Sequence, residues 1–573
     1  MSNRTELRSD VVGVIASVVS WASLLCGGFA LASTLWAAHA SYSPAVVGDS
    51  WYFVPTIRRF MEGGGNLAEL FLPFGGHRLF VPKLFHLGDY LLFDGRNVLP
   101  LSVSWLLQGS IAAALITAVW RSRGALGSSA ARFLVGLTLT LLFSSTQLEN
   151  FVTAWHVHWF LANAAMCLSF GALATSLRAG ARAAPTAGAP WFIASLSAAG
   201  VATLSMANGL LCWPILLLLG GGMGLPRRRL VWIVVASLAA LIAFFVDYPP
   251  TANAASSILM GAPFPMLTWF LLCVGAPLSW SHALAGGFLA CVGVAVASFF
   301  TITTLVRRRE VGRIEWILLG MMLFSLGSVA MITAGRAASW PTTWVGPRYQ
   351  AVVLLFWLNL VAMALLRLRE SRAMQLAVMA ISLGLVVGTL LPAHSKQSRE
   401  AVALAQQIHS ANRAIVVGIR IRQSYAAVLT PHLLVAEGDV VQRNRGFLQA
   451  RRLAMFSTEE AQRIGGRVVA GSAPCDADPD PGRVLGNAAQ GYRAVGRLPD
   501  TGANAIRSIF VTDGSGTIIG LGEEQPRSLQ RASFRAWTAY FMDSQDGVVD
   551  FWAELADGSS CQLAPSFHLD PER

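Results

Sequence analysis

Apolar runs of membrane-spanning length alternate with short basic clusters along the first two thirds of the chain. A transmembrane helix needs about 20 mainly apolar residues. Eleven runs reach or approach that length, so the pattern predicts about eleven membrane-spanning helices. The predicted helices cover about residues 11–38, 98–120, 132–147, 151–177, 191–206, 208–223, 230–247, 283–306, 315–334, 350–368 and 373–391.

The arginines between these runs predict the orientation. Cytoplasmic loops of membrane proteins carry an excess of Lys and Arg. With the N-terminus in the cytoplasm, every basic cluster falls on that side and the C-terminus falls outside. These clusters are Arg121/Arg123, Arg178/Arg182, Arg227–Arg229, Arg307–Arg309 and Arg367/Arg369/Arg372.

The first outer loop, 41–100, is long and rich in aromatic and charged residues. Within it, His77–Phe93 must not cross the membrane, because a crossing would place Arg121 and every later cluster outside. Charged residues also interrupt its apolar positions, which favours an amphipathic helix at the membrane interface. Phe264–Trp280 is a similarly surplus apolar segment, predicted to lie on the outer face or to re-enter.

The remainder of the chain is polar and is predicted to be extracytoplasmic. Residues 392–466 read as a helical connector, because apolar residues recur at helical spacing. Residues 467–573 read as strands around Gly-rich turns, which predicts a small β-sandwich. Cys475 and Cys561 lie in this outer region and form a candidate disulfide. The predicted fold is thus an α-helical polytopic membrane domain, 1–391, followed by a helical plus β-sandwich domain.

Composition agrees with a membrane protein. Hydrophobic residues make up 54% of the 573 residues and charged residues only 13%, whereas soluble domains carry about 25% charged residues. The net charge of +12 arises largely from the loop arginines, which disfavours nucleic-acid binding. No CxxC or HExxH spacing is present, which disfavours a tight zinc site.

Two acids on the predicted outer face are candidates for chemistry. Asp49 opens the first loop within "GDSWYF", and a solvated loop acid beside an aromatic belt is the alternative reading. Glu149 lies in "QLENF", a turn too short to be far from the hydrocarbon, where acids are commonly functional. The following helix places Trp155 and His158 on one face, although histidines there are equally consistent with core residues.

Cationic residues form a further group. Arg336 and Arg348 flank an outer loop that ends at Tyr349. Such arginines are either interface anchors or a phosphate clamp, since guanidinium matches phosphate oxygens bidentately. With acids, cations and aromatics on one face, the chain has the groups required for a reaction on a lipid-linked phosphate.

In these features the chain resembles the GT-C superfamily of membrane glycosyltransferases, which use polyprenyl-phosphate sugars. A first helix delivers Asp49 into a long outer loop with two interfacial helices, ten to thirteen crossings follow, and a soluble outer domain ends the chain. It is also similar to uncharacterised bacterial membrane proteins with "NEHR"-like, "ENF.W" and "RY" elements. The matching stretches are "GGHRLF" (Gly75–Phe80), "LENFVTAW" (Leu148–Trp155) and "GPRYQ" (Gly346–Gln350), although Gly75 and Gly76 replace the polar pair of the first element.

The resemblance implies a role for each candidate residue. Asp49 would be the base that activates an acceptor hydroxyl, and Glu149 a second acid. The donor phosphate would be held by Arg336, Arg348, Lys83, Arg78 and His77. The sugar or acceptor would contact Trp51, Tyr52, Trp155, His158 and Tyr349.

The implied function is inverting transfer of a sugar from a polyprenyl-phosphate donor to an envelope glycan, lipid or protein, on the periplasmic face of a bacterial inner membrane. The resemblance leaves a divalent metal open, because some members need one and others do not. Three alternatives remain: a lipid-linked glycan flippase or transporter, an O-antigen ligase or polymerase, and a non-catalytic glycan-binding protein.

Overall fold

The protein is described here from a computed structural model, which covers residues 2–182, 188–248, 263–279, 283–336, 345–421, 424, 428, 439–468, 475, 483–498, 506–525, 535–544 and 546–569. The chain divides into two compact units. The first unit comprises Met1–His39, Leu67–Phe85 and Pro100–Arg399. The second unit comprises Ala40–Asn66, His86–Leu99 and Glu400–Arg573.

The first unit is helical. Across the described ranges, nine helices are long and apolar enough to cross a membrane, and three shorter apolar helices accompany them. This confirms the predicted helical architecture. The longer helices of the whole chain before the β-rich region are Ser2–Ala40, Val54–Met61, Phe80–Leu92, Val98–Arg121, Ser128–Leu142, Val157–Arg182, Ala189–Thr203, Cys212–Gly222, Arg227–Phe245, Pro263–Gly275, Ala283–Val306, Arg313–Arg336, Gln350–Arg367, Arg372–Leu385, Leu391–Val417 and Asp439–Ala450.

The first helix packs closely on Ser128–Leu142. A Cβ added to Gly27 would lie 2.6 Å from the Gly136 carbonyl oxygen, so the two backbones approach within a distance that only glycine allows. Two hydroxyl groups strengthen this contact: Ser23 Oγ donates to the Phe133 carbonyl at 2.9 Å, and Thr34 Oγ1 donates to the Phe143 carbonyl at 2.6 Å.

The chain between Ser128–Leu142 and Val157–Arg182 is irregular, whereas the sequence predicted helix to residue 147. The helix ends at Leu142, and three short pieces follow: a 3-10 turn Ser145–Gln147, the helix Leu148–Val152 and a 3-10 turn Ala154–His156. Ser144 Oγ accepts from the Thr146 N–H at 3.3 Å. Local side-chain bonds of this kind offer the backbone an alternative to the helix.

The last apolar helix is longer than predicted. Instead of ending at residue 391, Arg372–Leu385 continues through a π-helical turn, Val386–Leu390, into Leu391–Val417. Pro392 is the second residue after the π-helical turn, and a locally altered hydrogen-bond register there accommodates a residue without a backbone N–H. The boundary between the units falls at residue 400 rather than 392.

The second unit contains one seven-stranded antiparallel sheet, with the order β1-β2-β5-β4-β3-β6-β7. The strands β1 to β7 are Arg483–Asn487, Gly491–Leu498, Ile506–Asp513, Ile518–Glu524, Arg535–Phe541, Val548–Leu555 and Ser560–His568. The predicted two-sheet sandwich is therefore wrong. The sheet curls around its own core, so a single sheet buries the alternating apolar positions that predicted two; the core includes Tyr492, Val511, Trp537, Phe541 and Phe551.

Helical segments of the second unit contact the sheet through partly buried charges. Arg413 binds both Glu460 and Glu523. The Arg463 guanidinium lies 4.1 Å from the centre of the Phe510 ring and also pairs with Glu554. Cys475 and Cys561, the predicted pair, are joined by a disulfide with Cα atoms 5.1 Å apart.

Parts of the first loop belong to this second unit rather than to the helical one. The Ala454 N–H donates to the Asp94 carbonyl at 2.7 Å, and Arg96 Nε donates to Ser457 Oγ at 2.9 Å. Asn412 Nδ2 donates to Ser43 Oγ at 3.0 Å. The two contact-based units thus differ from the predicted division at residues 1–391, 392–466 and 467–573, because residues 40–66 and 86–99 belong to the second unit.

Candidate functional site

An ion pair joins two irregular segments of the first unit. Arg348 Nη1 lies 3.4 Å from Glu149 Oε1. Glu149 stands on the short helix Leu148–Val152, and Arg348 stands on the 3-10 turn Pro347–Tyr349. Their side chains are 30% and 23% exposed, so the pair is partly buried and remains accessible from one side.

The backbone around Arg348 is fixed by its neighbours. Asn150 Nδ2 donates to the Arg348 carbonyl at 2.9 Å. The guanidinium also lies 5.0 Å from the centre of the Tyr349 ring, and Arg348 Nη2 is 3.4 Å from the Tyr349 hydroxyl. The Glu149–Arg348 pair is therefore held from both segments.

His156 completes this charged group. Its Nε2 lies 3.8 Å from Glu149 Oε1, so the carboxylate stands between an imidazole and a guanidinium. His156 belongs to the 3-10 turn Ala154–His156, which positions it beside Glu149. Helical periodicity predicted His158 rather than His156 at the site, because the stretch was expected to be a regular helix.

Aromatic rings surround Tyr349. Its ring centre lies 5.8 Å from that of Trp159 and 6.3 Å from that of Trp269. Trp269 was missed because it lies in the surplus segment predicted to stay on the outer face or re-enter. His158 Nδ1 bonds to the Trp155 carbonyl at 2.7 Å, and the Trp155 ring packs 5.4 Å from that of Phe74.

Several buried polar atoms near this group have no hydrogen-bond partner among the described residues. Native proteins satisfy nearly all such groups, so a concentration of exceptions requires an explanation. The unpartnered atoms include hydrogen-bond acceptors and ring nitrogens: Asn150 Oδ1, Gln350 Oε1, His156 Nδ1, Trp159 Nε1 and Trp269 Nε1. Water or the hydroxyl groups of a ligand would satisfy them.

Three of the predicted phosphate-binding residues bond to backbone groups instead. Arg78 donates to the carbonyls of Phe71 at 2.6 Å and Phe244 at 2.8 Å. Lys83 Nζ donates to the Leu72 carbonyl at 2.8 Å, and burial together with the Arg78 charge lowers the Lys83 pKa to about 8.

His77 has a comparable backbone role, because its Nδ1 accepts the Ala207 N–H at 3.2 Å. Arg78 and His77 therefore bind residues 67–85 to other segments of the first unit, whereas Lys83 bonds within residues 67–85. Arg336 is the last residue of the helix Arg313–Arg336, and its side chain lies outside the described residues.

Asp49, Trp51 and Tyr52 lie in the second unit, on the 3-10 turn Gly48–Tyr52. Trp51 is fully buried, so it is a core residue and not the predicted sugar contact. Asp49 is half-buried, and its carboxylate makes no hydrogen bond or ion pair with any residue the structure describes. The turn contacts the helix Asp439–Ala450, which fixes its position in the unit.

A buried histidine from the last long helix supports the irregular segment. His394 Nδ1 accepts the Ser145 N–H at 2.9 Å, and its Nε2 lies 2.7 Å from Ser33 Oγ on the first helix. Because Nδ1 accepts a backbone N–H, the ring proton of the neutral form lies on Nε2. The sequence does not predict this role, because a lone histidine after an apolar run belongs to no local pattern.

Over the ranges that the structure describes, no three His, Cys, Asp or Glu side chains are grouped to hold a metal ion. No protein-family model matches the chain, and comparison with curated proteins and with solved structures finds no similar protein.

Proposed function

We propose that the protein is an inverting membrane glycosyltransferase that moves a sugar from a polyprenyl-phosphate donor to an envelope glycan, lipid or protein. The observation that carries the proposal is the Glu149–Arg348 pair, held at 3.4 Å on breaks between membrane-length helices. Ionisable groups at such positions are costly and commonly functional. This pair supplies both an acid and a cation suited to phosphate.

The proposed step is a single displacement at the anomeric carbon. A carboxylate base takes the proton from an acceptor hydroxyl as the acceptor oxygen bonds to that carbon. The resemblance to the glycosyltransferases, and no contact with the Glu149–Arg348 pair, assigns this role to Asp49. The bond from carbon to the phosphate oxygen breaks, and its electron pair leaves with polyprenyl phosphate. Arg348 stabilises the charge on the departing phosphate, while Glu149 orients the guanidinium and binds the acceptor.

The lining around Tyr349 supports a sugar as the group transferred. Sugar hydroxyls both donate and accept hydrogen bonds, and the site offers unpartnered atoms of both kinds, including Asn150 Oδ1 and Trp159 Nε1. The buried rings of Tyr349, Trp159 and Trp269 pack edge to face and hold the turn Pro347–Tyr349 beside these atoms. Arg78, Lys83 and His77 have no direct role in this proposal, because they bond to the backbone.

We further propose the location already expected: eleven crossings of a bacterial inner membrane, with the N-terminus cytoplasmic and the second unit largely periplasmic. The Cys475–Cys561 disulfide supports an oxidising compartment. The helix Phe80–Leu92 supports an interfacial position, because Leu91 and Leu92 are 58% and 73% exposed while Asp89 is buried. Its apolar face is thus available to lipid.

The proposal is tested by reconstituting the full chain in liposomes with a panel of radiolabelled polyprenyl-phosphate sugars and envelope acceptors. Label should move to the acceptor with wild type, and about 10²-fold more slowly with Glu149→Gln. The same sugars supplied as nucleotide derivatives serve as the negative control. If the intact donor crossed the bilayer and no sugar reached the acceptor, the transferase proposal would be wrong and the transporter alternative would be favoured.

A further inference from the structure

A polar cavity of the first unit lies between a glycine-rich turn (Gly221–Gly224) and a basic hairpin (Arg308–Arg313). Its volume is about 520 Å³. One wall is the end of the helix Cys212–Gly222 with the turn that follows it, and the other is the link between Ala283–Val306 and Arg313–Arg336. The lining includes Gly221, Gly224, Arg308, Arg309, Arg313 and Trp316.

This cavity is separate from the Glu149–Arg348 pair. The helix Gln350–Arg367 begins beside Arg348, and its 18 residues span about 27 Å. At its far end, Arg367 Nε lies 2.7 Å from Glu315 Oε1. Glu315 is adjacent in sequence to Trp316, so the cavity lies at the opposite end of this helix from the candidate transfer site.

The arginines of the cavity have no carboxylate partner among the described residues. No ion pair or hydrogen bond is formed by the side chains of Arg308, Arg309 or Arg313 in that part of the chain. The neighbouring acid, Glu315, is already committed to Arg367 and to the Gly312 N–H, which it accepts at 2.7 Å. Three arginines therefore line one cavity, and the single exposed acid of the same link, Glu310, leaves an excess of positive charge there.

Glycines keep this cavity open. A Cβ on Gly222 would lie 2.3 Å from the Trp316 ring, so only glycine allows the ring to pack there. Gly221 and Gly224 have no atom within 4 Å of an added Cβ, so their missing side chains leave free volume. The half-charge at the end of the helix Cys212–Gly222 would favour nearby arginines, but it does not balance three full charges.

We infer that this cavity binds an anionic phosphate ester, and specifically the headgroup of an acidic phospholipid. Arginine forks bind phosphate oxygens in pairs. The cavity lies at the ends of membrane-length helices, where a lipid headgroup is held next to its own acyl chains. The basic hairpin also belongs to the predicted cytoplasmic side, and the cytoplasmic leaflet contains the anionic lipids that would supply the headgroup.

Lipid binding by the purified full chain tests this inference directly. Native mass spectrometry would follow titration with phosphatidylglycerol and, separately, with phosphatidylcholine. Two variants disable the cavity in different ways: Arg308→Gln/Arg309→Gln removes charge, and Gly221→Leu fills the volume while keeping every arginine. The matched controls are Arg121→Gln/Arg123→Gln, an exposed basic pair that does not line the cavity, and Gly171→Leu, another open helix position.

Both cavity variants should weaken phosphatidylglycerol binding by at least about tenfold, while the controls stay within about twofold of wild type. Phosphatidylcholine binding should be unaffected throughout. Equal losses in cavity and control variants, or wild-type binding by Gly221→Leu, would overturn the inference. The lipid assignment would also be overturned if inorganic phosphate saturated the cavity while phosphatidylglycerol binding was the same in wild type and the cavity variants. None of these readings depends on sugar transfer.

Discussion

Arg348 Nη1 lies 3.4 Å from Glu149 Oε1, although the two residues are 199 positions apart in the chain. The contact joins the break after the helix Ser128–Leu142 to the turn before Gln350–Arg367. Long-range contacts of this kind between charged groups in an apolar bundle are costly to build. In the proposed enzyme, the pair positions the guanidinium for the leaving phosphate.

The first prediction concerns the coupling within this pair. Glu149→Gln and Arg348→Gln should each lower kcat/KM for sugar transfer by about 10²-fold, because each disturbs the phosphate-stabilising cation. The double variant should lose much less than the product of the two single losses, since the residues act as a unit. Transfer rates of the four proteins in liposomes measure this.

The exposed pair Arg58–Glu62, with Arg58 Nε and Glu62 Oε1 2.9 Å apart, is a matched control for these single and double variants. Exposed pairs contribute little, so Arg58→Gln and Glu62→Gln should leave transfer unchanged, singly and together. Strictly multiplicative losses at Glu149 and Arg348 would show that the two residues act independently and would contradict the proposed coupling.

The second prediction concerns pH and Lys83. Its pKa falls from 10.5 to about 8 in the folded chain because of burial and the Arg78 charge. Below pH 8, Lys83 is protonated in both the folded and the unfolded state, so the folded state bears the whole cost of its buried charge. Between about pH 8 and 10.5 the folded state loses the proton while the unfolded state keeps it, so stability should rise by about 3 kcal/mol.

Thermal unfolding in detergent between pH 7 and pH 10 checks this dependence. Lys83→Met should flatten the rise, whereas Lys396→Met, at an exposed position, should retain it. Other groups also titrate in this pH range. The contribution of Lys83 is therefore the difference in stability between wild type and Lys83→Met at each pH. Parallel curves for wild type and Lys83→Met would rule out Lys83 as the source.

The third prediction concerns the contact of the first helix. A Cβ on Gly136 would lie 2.3 Å from the Ser23 carbonyl carbon. Gly136→Ala should therefore destabilise the protein by about 1–3 kcal/mol through overpacking. Gly109→Ala, which has no atom within 4 Å, should be neutral or stabilising by up to about 1 kcal/mol. Opposite shifts in melting temperature are expected, and equal shifts would contradict the packing described.

The fourth prediction concerns the disulfide. Cys475 and Cys561 close a loop with a sequence separation of 86, and losing such a constraint costs about 4 kcal/mol on the chain-entropy account. Cys475→Ser should lower the resistance of the second unit to proteolysis. Cys291→Ser, at an exposed free cysteine, should not. Unchanged proteolysis after reduction of wild type would contradict a stabilising role.

Local sequence patterns predicted the elements better than their ends. Apolar runs give helices because burial or lipid contact requires a continuous apolar surface, and Gly-rich turns gave the hairpins around Asp513–Gly516 and Asp557–Gly558. The break near Ser144 was missed because the apolar run continues to Phe143 and the competing bond is a local side-chain contact. A curled sheet and a sandwich share the same alternation, so the sequence could not separate them.

Contacts between distant segments explain the remaining differences. Asp94 bonds to Ala454 and Ser43 to Asn412, so part of the first loop joins the second unit, and nothing local in either stretch indicates this. His394 and Trp269 were missed for the same reason. Glu149 and Arg348 were both predicted, because charged residues inside apolar stretches are conspicuous, but their direct contact was not.

The role of Asp49 is the central claim of the proposed mechanism. Its most direct test is the rate of label transfer from a polyprenyl-phosphate sugar to acceptor by wild type, Asp49→Asn and Glu62→Gln in liposomes. Loss of a general base costs about 10²–10⁴-fold in rate. Asp49→Asn should therefore lower kcat by at least about 10²-fold with little change in donor KM, and Glu62→Gln should match wild type. Full activity in Asp49→Asn, or no transfer from any donor by wild type, would contradict the account.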